Sequence, residues 1–347
     1  LIVGWRIAIL LLLGLIVGCS PAEKENGRTD ATSGERLHEG MVWIPGGEFT
    51  MGTEDEQSYA HERPAHRVSV QGFWMDETEV TNAQFAKFVE ATGYITIAER
   101  APDWEEIRKQ LPPGTPKPHD SLLVAGSLVF VAPDEPVYLN DYSQWWVWTP
   151  GANWKHPDGS KSDLTGRMNY PVVHIAHEDA VAYCKWADKR LPSEAEWEFA
   201  SRGGNEARPF DFADLSSGGQ YTANVFQGSF PYRNLHEDGF EGSAAVKSFP
   251  PNDYGLYDMI GNVWEWTSDF YDPDYYQVLA SQGVALNPKG PDHSYDPNEP
   301  YIIKYVTKGG SFLCATDYCS NYRSSARQAT AFDSGQSHIG FRCVLQP

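Results

Sequence analysis

With 31 glycines and 24 prolines in 347 residues, this chain is interrupted too often for long helices or wide regular sheets. Its 12 Trp, 18 Tyr and 16 Phe supply large rings instead, which predicts a loop-rich core cemented by aromatic packing. The formal net charge of −20 argues against binding nucleic acid or an anionic membrane through a basic patch.

The first residues read as an export signal. Trp5-Arg6 gives a positive flank, and residues 7–17 are apolar apart from Gly14. Spanning a bilayer takes roughly 20 apolar residues, so this run is a signal peptide over 1–18, not a transmembrane helix. It ends Ile16-Val17-Gly18-Cys19, similar to a bacterial lipobox in which the cysteine becomes the acylated amino terminus. Ser20 after it, where Asp would retain the protein at the inner membrane, favours the periplasmic face of the outer membrane in the cell envelope. The alternative is an ordinary signal peptide with a chance cysteine. Residues 19–39 are polar and have almost nothing to bury, the composition of a flexible tether. About 300 residues follow, long for one domain but within range.

Along the folded part, residues 41–52 alternate around Pro45-Gly46-Gly47 and read as a hairpin, with 66–75 as its partner. His61 and His66 flank Arg63-Pro64. Their spacing fits no helical zinc motif, and Pro64 argues against a helix there, so both read as loop residues. Residues 79–93 predict a helix capped by Thr81, with Phe85, Phe88 and Val89 on its apolar face and Gly93 as its stop. Residues 101–165 read as irregular, and the rings Tyr142, Trp145, Trp146, Trp148 and Trp154 either cover the core or line a groove, with core as the default assignment. A second helix is predicted over 179–190 with basic residues in its last turn. Ser193-Glu-Ala-Glu196 is the capping box of a third, ending at Gly203-Gly204. Cys184 on the second helix reads as a buried thiol.

Five cysteines are present. If Cys19 carries lipid, then Cys184, Cys314, Cys319 and Cys343 remain, too few to make a disulfide scaffold of so large a domain. Cys314 and Cys319 follow Lys308-Gly-Gly-Ser311, a spacing that lets two sulfurs converge across a short loop. Two thiolates hold a soft metal. They equally close a small disulfide ring, which an oxidising compartment favours, and the residues alone leave both open. Asn224-Val-Phe-Gln-Gly228, Glu237-Asp-Gly-Phe240 and residues 254–269 mix Asp, Asn and Glu with Gly and Phe. Their oxygens either surround a hard cation such as calcium or make plain turns; none is an EF-hand.

Six motifs occur in order between about Gly40 and Val344: Gly46-Gly-Glu-Phe-Thr-Met-Gly52, Glu79-Val-Thr-Asn82, Gly151-Ala-Asn-Trp-Lys-His-Pro157, Lys189-Arg-Leu-Pro-Ser-Glu-Ala-Glu-Trp-Glu198, Gly261-Asn-Val-Trp-Glu-Trp-Thr-Ser-Asp269 and Gly309-Gly-Ser-Phe-Leu-Cys314. Together they resemble the formylglycine-generating enzyme family, the sulfatase-modifying factors. The resemblance implies a single loop-rich α+β domain over 40–347, a variant of the C-type lectin architecture. It also implies an oxidase that uses O2 to convert a cysteine, in an extended Cys-x-Pro-x-Arg-type segment of an unfolded sulfatase polypeptide, to Cα-formylglycine. Cys314 and Cys319 match the pair that binds Cu(I), and Ser311 matches the active-site serine. Asn224, Val225, Asp238 and Phe240 match one structural calcium site, and Asp258, Gly261, Val263 and Glu265 the second, with Val, Phe and Gly acting through main-chain carbonyls.

Departures from the family pattern touch no metal ligand. Ser201 stands where some relatives pair a cysteine with the equivalent of Cys343, and Ser324 also replaces a cysteine. His338 replaces an asparagine, and Ala315 a larger polar residue. Many members of the family lack the thiol pair, so the alternative is a non-catalytic lipoprotein that uses the scaffold for binding or envelope organisation. Retention of Ser311, Cys314 and Cys319 discriminates in favour of the oxidase.

Overall fold

Two amino-terminal stretches pair first, and their register decides what the Pro-Gly-Gly segment does. In the computed structural model, which describes residues 38–56, 58–205, 215–217 and 220–346, β1 (Met41–Ile44) lies antiparallel to β4 (Phe73–Asp76). In the same way β2 (Gly47–Met51) lies antiparallel to β3 (His66–Val70). Met41 faces Asp76 and Met51 faces His66 with no slip between, so the two pairs form one bent ribbon. The expected hairpin at Pro45-Gly46-Gly47 therefore does not form; this segment is a corner that the opposite strand shares at Gly72. Gly46 has φ 70, and a Cβ there would come within 2.5 Å of the Gly72 nitrogen. Only glycine fits. His61 and His66 are not loop residues either. His61 lies in a 3₁₀ turn at Ala60–Glu62, and His66 begins β3, buried, with Nδ1 3.0 Å from the Pro64 carbonyl.

Residues 1–37, which hold the expected signal peptide, Cys19 and nearly all of the tether, lie outside the described residues. One compact unit begins at Gly40.

Helix α1 (Asn82–Thr92) forms where its local signals put it. Thr81 Oγ1 accepts the Gln84 N–H while Gln84 Oε1 accepts the Thr81 N–H, and Gly93 ends the helix at φ 67. Phe85 and Phe88 enter a cluster with Trp154, Tyr183 and Phe341. Helix α2 (His177–Trp186) begins two residues before the expected start and ends four before the expected stop. Asp188 takes φ 54, and the two basic residues beyond it are used across the fold. Lys189 pairs with Asp76 and Arg190 with Glu196, so neither is left to cap a helix. Helix α3 (Glu194–Ser201) has the expected Ser193 capping box and is buried at every position.

Within the stretch expected to be irregular, β5 (Gly126–Phe130) pairs antiparallel with β6 (Trp146–Pro150). Leu128-Val-Phe130 opposite Trp146-Val-Trp148 is a run of apolar residues, all but Leu128 β-branched or aromatic, whose cross-strand packing outweighs the surrounding breakers. The ring cluster divides. Trp145 and Trp154 are buried, whereas Tyr142 and Trp148 are exposed, which corrects their assignment to the core.

The largest sheet has β7 (Trp264–Phe270) near its centre. Antiparallel β9 (Lys304–Lys308) lies on one side of it and parallel β11 (Ile339–Gly340) on the other, with β10 (Gln328–Ala331) outside β9. Short strands β8 (Ala285–Leu286) and β12 (Val344–Leu345) extend the ribbon at β3 and β4. Few helices, short strands and long connections make this the expected loop-rich α+β domain. Strand β9 ends at the buried Lys308 and releases the chain into nineteen residues without helix or strand before β10.

Candidate active site

That irregular segment carries the thiols. Gly310, at φ 74, lets the chain pass against Tyr322, where a Cβ would sit 3.0 Å from the Tyr322 nitrogen. The next residue, Ser311, is fully buried; its carbonyl accepts the Cys314 N–H at 2.9 Å and its Oγ accepts the Leu313 N–H at 3.2 Å. A second turn follows, in which the Ala315 carbonyl accepts the Cys319 N–H at 2.9 Å. The two turns bring Cys314 Sγ to 2.9 Å from Cys319 Sγ. A disulfide holds its sulfurs at about 2.05 Å, so these are two free thiols in contact.

Their environments differ. Cys314 is buried, and burial pushes its thiol well up, with Cys319 adding to the effect. Cys319 reaches the surface and is held below the ordinary thiol range, first by the hydrogen bond that Cys314 donates and then, against burial, by Asn321 and Arg323. Of the two thiols Cys319 is therefore the more acidic, and the one that ionises more readily. A ring wall adjoins the pair: Tyr318 stacks on Phe230 at 4.4 Å and meets Trp145 edge-on at 5.9 Å. A cavity of about 770 Å³ backs onto Phe312 and Leu313 from the other side, but neither thiol lines it.

A second sulfur pair lies deeper. Cys184 and Cys343, both buried and free, are 2.8 Å apart, so the thiol facing Cys343 comes from position 184 and not from the site of Ser201. Ser201 Oγ donates instead to the Glu198 carbonyl. His338 lies against Trp146 with the rings tilted and their centres 4.7 Å apart, its Nδ1 is buried without a hydrogen-bond partner, and burial pushes its pKa down to about 3. It remains neutral.

The oxygen-rich turns come together in two places. In the first, the Val225 carbonyl and Asp238 Oδ2 both meet the Gln227 amide. Asn224 turns its amide to Gly242 and Asn262, and the Phe240 carbonyl bonds His236 Nδ1. In the second, Asp258 and Glu265 share a buried region with Glu79. Burial raises Asp258 to about 6, and Glu79 is pushed well up by burial and by Asp258. Glu265 bonds Arg342 at both oxygens and Trp197 Nε1 at one, while Glu79 Oε2 has no hydrogen-bond partner. Among the described residues no three His, Cys, Asp or Glu side chains converge as a ready-made metal cage. A cation here would need main-chain oxygens, such as those of Gly261 and Val263, to complete its shell. Glu79 is the residue sequence reasoning missed. Its signal was a carboxylate just ahead of a helix cap, inside a motif already singled out.

Residues 28–347 match the model of the sulfatase-modifying factor enzyme 1-like domain. The chain belongs to this family. It is 47% identical to the formylglycine-generating enzyme of Mus musculus over 306 residues, 88% of this chain and 74% of that one. To the formylglycine-generating enzyme of Mycobacterium tuberculosis it is 44% identical over 309 residues, 88% and 98% of the two chains. An inactive Cα-formylglycine-generating enzyme 2 of Mus musculus is also similar, at 34% over 309 residues, 88% of this chain and 85% of that one. Among solved structures, PvdO from Pseudomonas aeruginosa shares the fold, with TM-score 0.54 and 24% identity over 88% of this chain and 93% of that one. Since family members include an inactive protein, membership alone does not assign chemistry; the thiol pair has to.

Proposed function

We propose that this protein is a formylglycine-generating enzyme, oxidising one cysteine of a sulfatase polypeptide, in a Cys-x-Pro-x-Arg-type segment, to Cα-formylglycine with O2. The observation that supports it best is the thiol pair, two free sulfurs 2.9 Å apart on an irregular segment next to the surface. The donor set fits Cu(I): two soft cysteine sulfurs, one buried and the other partly so. When bound, cuprous ion supplies the electron-rich centre that activates dioxygen. The chain's own residues prepare for it. Cys319 is the readier of the two to give up its proton, and burial makes Cys314 the harder thiol to ionise, so a metal has to compete with a proton for that sulfur. Ser311 Oγ accepts from Leu313, which leaves its O–H to donate to water or oxygen at the pair. Per turnover, one cysteine and one O2 become one aldehyde, one sulfide and one water. An external thiol pair, leaving as a disulfide, supplies the two further electrons and two protons.

Calcium is the second part of the reading. Glu79, Asp258 and Glu265 gather three buried carboxyl groups around one guanidinium, Arg342, and Glu79 Oε2, with no hydrogen bond and Arg342 only at 4.0 Å, suits a divalent cation. The Val225 and Asp238 oxygens that meet at Gln227 would take another. The role is structural, fixing turns that have little regular hydrogen bonding. Acylation of Cys19 completes the proposal, with the enzyme at the periplasmic face of the outer membrane meeting sulfatases exported unfolded.

The deciding experiment incubates the copper-loaded protein with a Cys-x-Pro-x-Arg peptide and O2, and looks for the aldehyde by mass spectrometry. Cys314→Ser is expected to be inactive. Full activity in that variant would refute the assignment.

A further inference from the structure

The turn ahead of Pro64 is fastened to the thiol-bearing segment more firmly than a surface turn requires. Glu62 is fully buried, and its carboxylate accepts from Arg323 at 2.6 and 2.7 Å, from the Ser325 hydroxyl at 2.9 Å and from the Tyr59 N–H at 3.1 Å. Arg323 also donates from Nε to the Ser320 carbonyl, one residue past Cys319, at 3.1 Å. Two residues beyond Ser325, Arg327 Nη1 donates to the His61 carbonyl at 3.3 Å. Alternate residues of the thiol-bearing segment thus bolt down a turn that lies some 260 positions earlier in the chain. Removing one partner of so buried a pair is costly, which fixes the turn in place.

What the bolts hold is Tyr59. Its side chain is 46% exposed, yet its phenol feels both thiols: burial, then Cys319, and further on Cys314 and Glu62 raise its pKa, while Arg323 lowers it. Tyr318 feels Cys319, Tyr59 and Tyr142, and its hydroxyl is hydrogen-bonded to Tyr142. Tyr142, 61% exposed, meets Trp145 edge-on at 5.7 Å. Two exposed tyrosines are thus tied to the segment of the partly exposed Cys319: Tyr59, delivered by the amino-terminal turn, through Glu62 and Arg323, and Tyr142, delivered by the connection ahead of β6, through Tyr318. The charges beside them are already matched where they are cationic, since Arg323 is taken by Glu62. Two tyrosine faces suit an extended polypeptide. They bury apolar and proline side chains, and their hydroxyls reach main-chain groups.

We propose that Tyr59 is a specificity-determining residue whose ring forms one wall of the cleft that seats the polypeptide around its target cysteine. Tyr142 forms the opposite wall, and Glu62 is the positioning residue that holds Tyr59 there. This rests on the oxidase reading. The test is steady-state kinetics of the full-length, copper-loaded protein with the Cys-x-Pro-x-Arg peptide, comparing wild type, Tyr59→Ala and Tyr59→Phe. Cu(I) affinity is measured in parallel by competition with a chromophoric chelator.

Tyr59→Ala is expected to raise KM about five- to tenfold with kcat changed less than twofold, the loss of one aromatic contact. Tyr59→Phe is expected to restore at least half of that loss, and Cu(I) affinity to be unchanged in both. Glu62→Gln is expected to raise KM as Tyr59→Ala does; should it fail to fold, the exposed Tyr59 variants decide alone. An unchanged KM in Tyr59→Ala, or a fall in kcat and Cu(I) affinity at constant KM, would overturn the proposal. An inactive wild type would bring down the oxidase reading and this one with it, whereas an active wild type with an indifferent Tyr59→Ala would bring down only this one.

Discussion

Replacing Arg327 by methionine tests how the thiol-bearing segment is held. The guanidinium is fully buried and meets Glu194 through two bonds of 2.8 Å, from Nε and Nη2. It also reaches the His61 and Asp272 carbonyls and lies over the Tyr276 ring at 4.3 Å. Methionine fills much of the volume but leaves Glu194 with only the Tyr276 hydroxyl at 3.0 Å and Lys308 at 3.7 Å. Removing one partner of a buried pair costs about 3–5 kcal/mol. A domain of about 300 residues unfolds with an entropy near 0.6 kcal/mol per kelvin, so the melting temperature should fall by about 5–8 °C. Calorimetry at fixed calcium and thiol concentration reads this directly. The double variant Glu194→Gln/Arg327→Met should recover most of the loss, because removing both charges removes the uncompensated one. A fall under about 2 °C in the single variant, or a double variant as unstable as the single, would refute the reasoning.

Other outcomes follow from the same geometry. Burial, with Glu194 adding to it, raises Asp269 to about 7 from 3.8, so its contribution to stability is full below pH 3.8 and lost as pH rises through 7. Asp269→Asn should therefore raise the melting temperature at pH 8 by several degrees and leave it unchanged near pH 3.5. Stripping calcium with EDTA should lower the melting temperature, and Glu79→Gln should weaken the restoring effect of added calcium at least tenfold by titration calorimetry. Iodoacetamide under native conditions should modify Cys319 at least ten times faster than Cys314, Cys184 or Cys343, because only Cys319 reaches the surface and is acidified; peptide mapping reads the order.

Elements written in local chemistry were legible from the sequence. Thr81 with Gln84 and Gly93 bounds α1, and Ser193 with Glu196 starts α3, since a cap uses only residues within one turn. The thiol pair was legible too, because five residues and two turns suffice to bring the sulfurs together. What could not be read was decided across the chain. Helix α2 stops early because Lys189 and Arg190 are claimed by Asp76 and Glu196. The Pro45-Gly46 corner depends on a matching bend at Gly72 in the opposite strand. Glu79 acquires its environment from Asp258 and Glu265, nearly two hundred residues later. Tyr59 stands beside the thiols only through Arg323 and Glu62, whose spacing carries no local signal.

These long-range contacts share one physical cause. Residues 309–327 have neither helix nor strand to fix them, and a loop that long inside a compact domain is costly to order unless something other than a ladder holds it. Ion pairs do so at its start, middle and end. Lys308 meets Glu198 at 3.2 Å, Arg323 meets Glu62 and Arg327 meets Glu194, and all three carboxylates are buried. Two of the three come from α3, which explains why a wholly buried helix carries Glu194 and Glu198. A hydrophobic contact at these points would give comparable stability but would accept a shifted register. A buried carboxylate tolerates only the arrangement in which its cation arrives, and that is what keeps two sulfurs 2.9 Å apart on a segment with no regular structure.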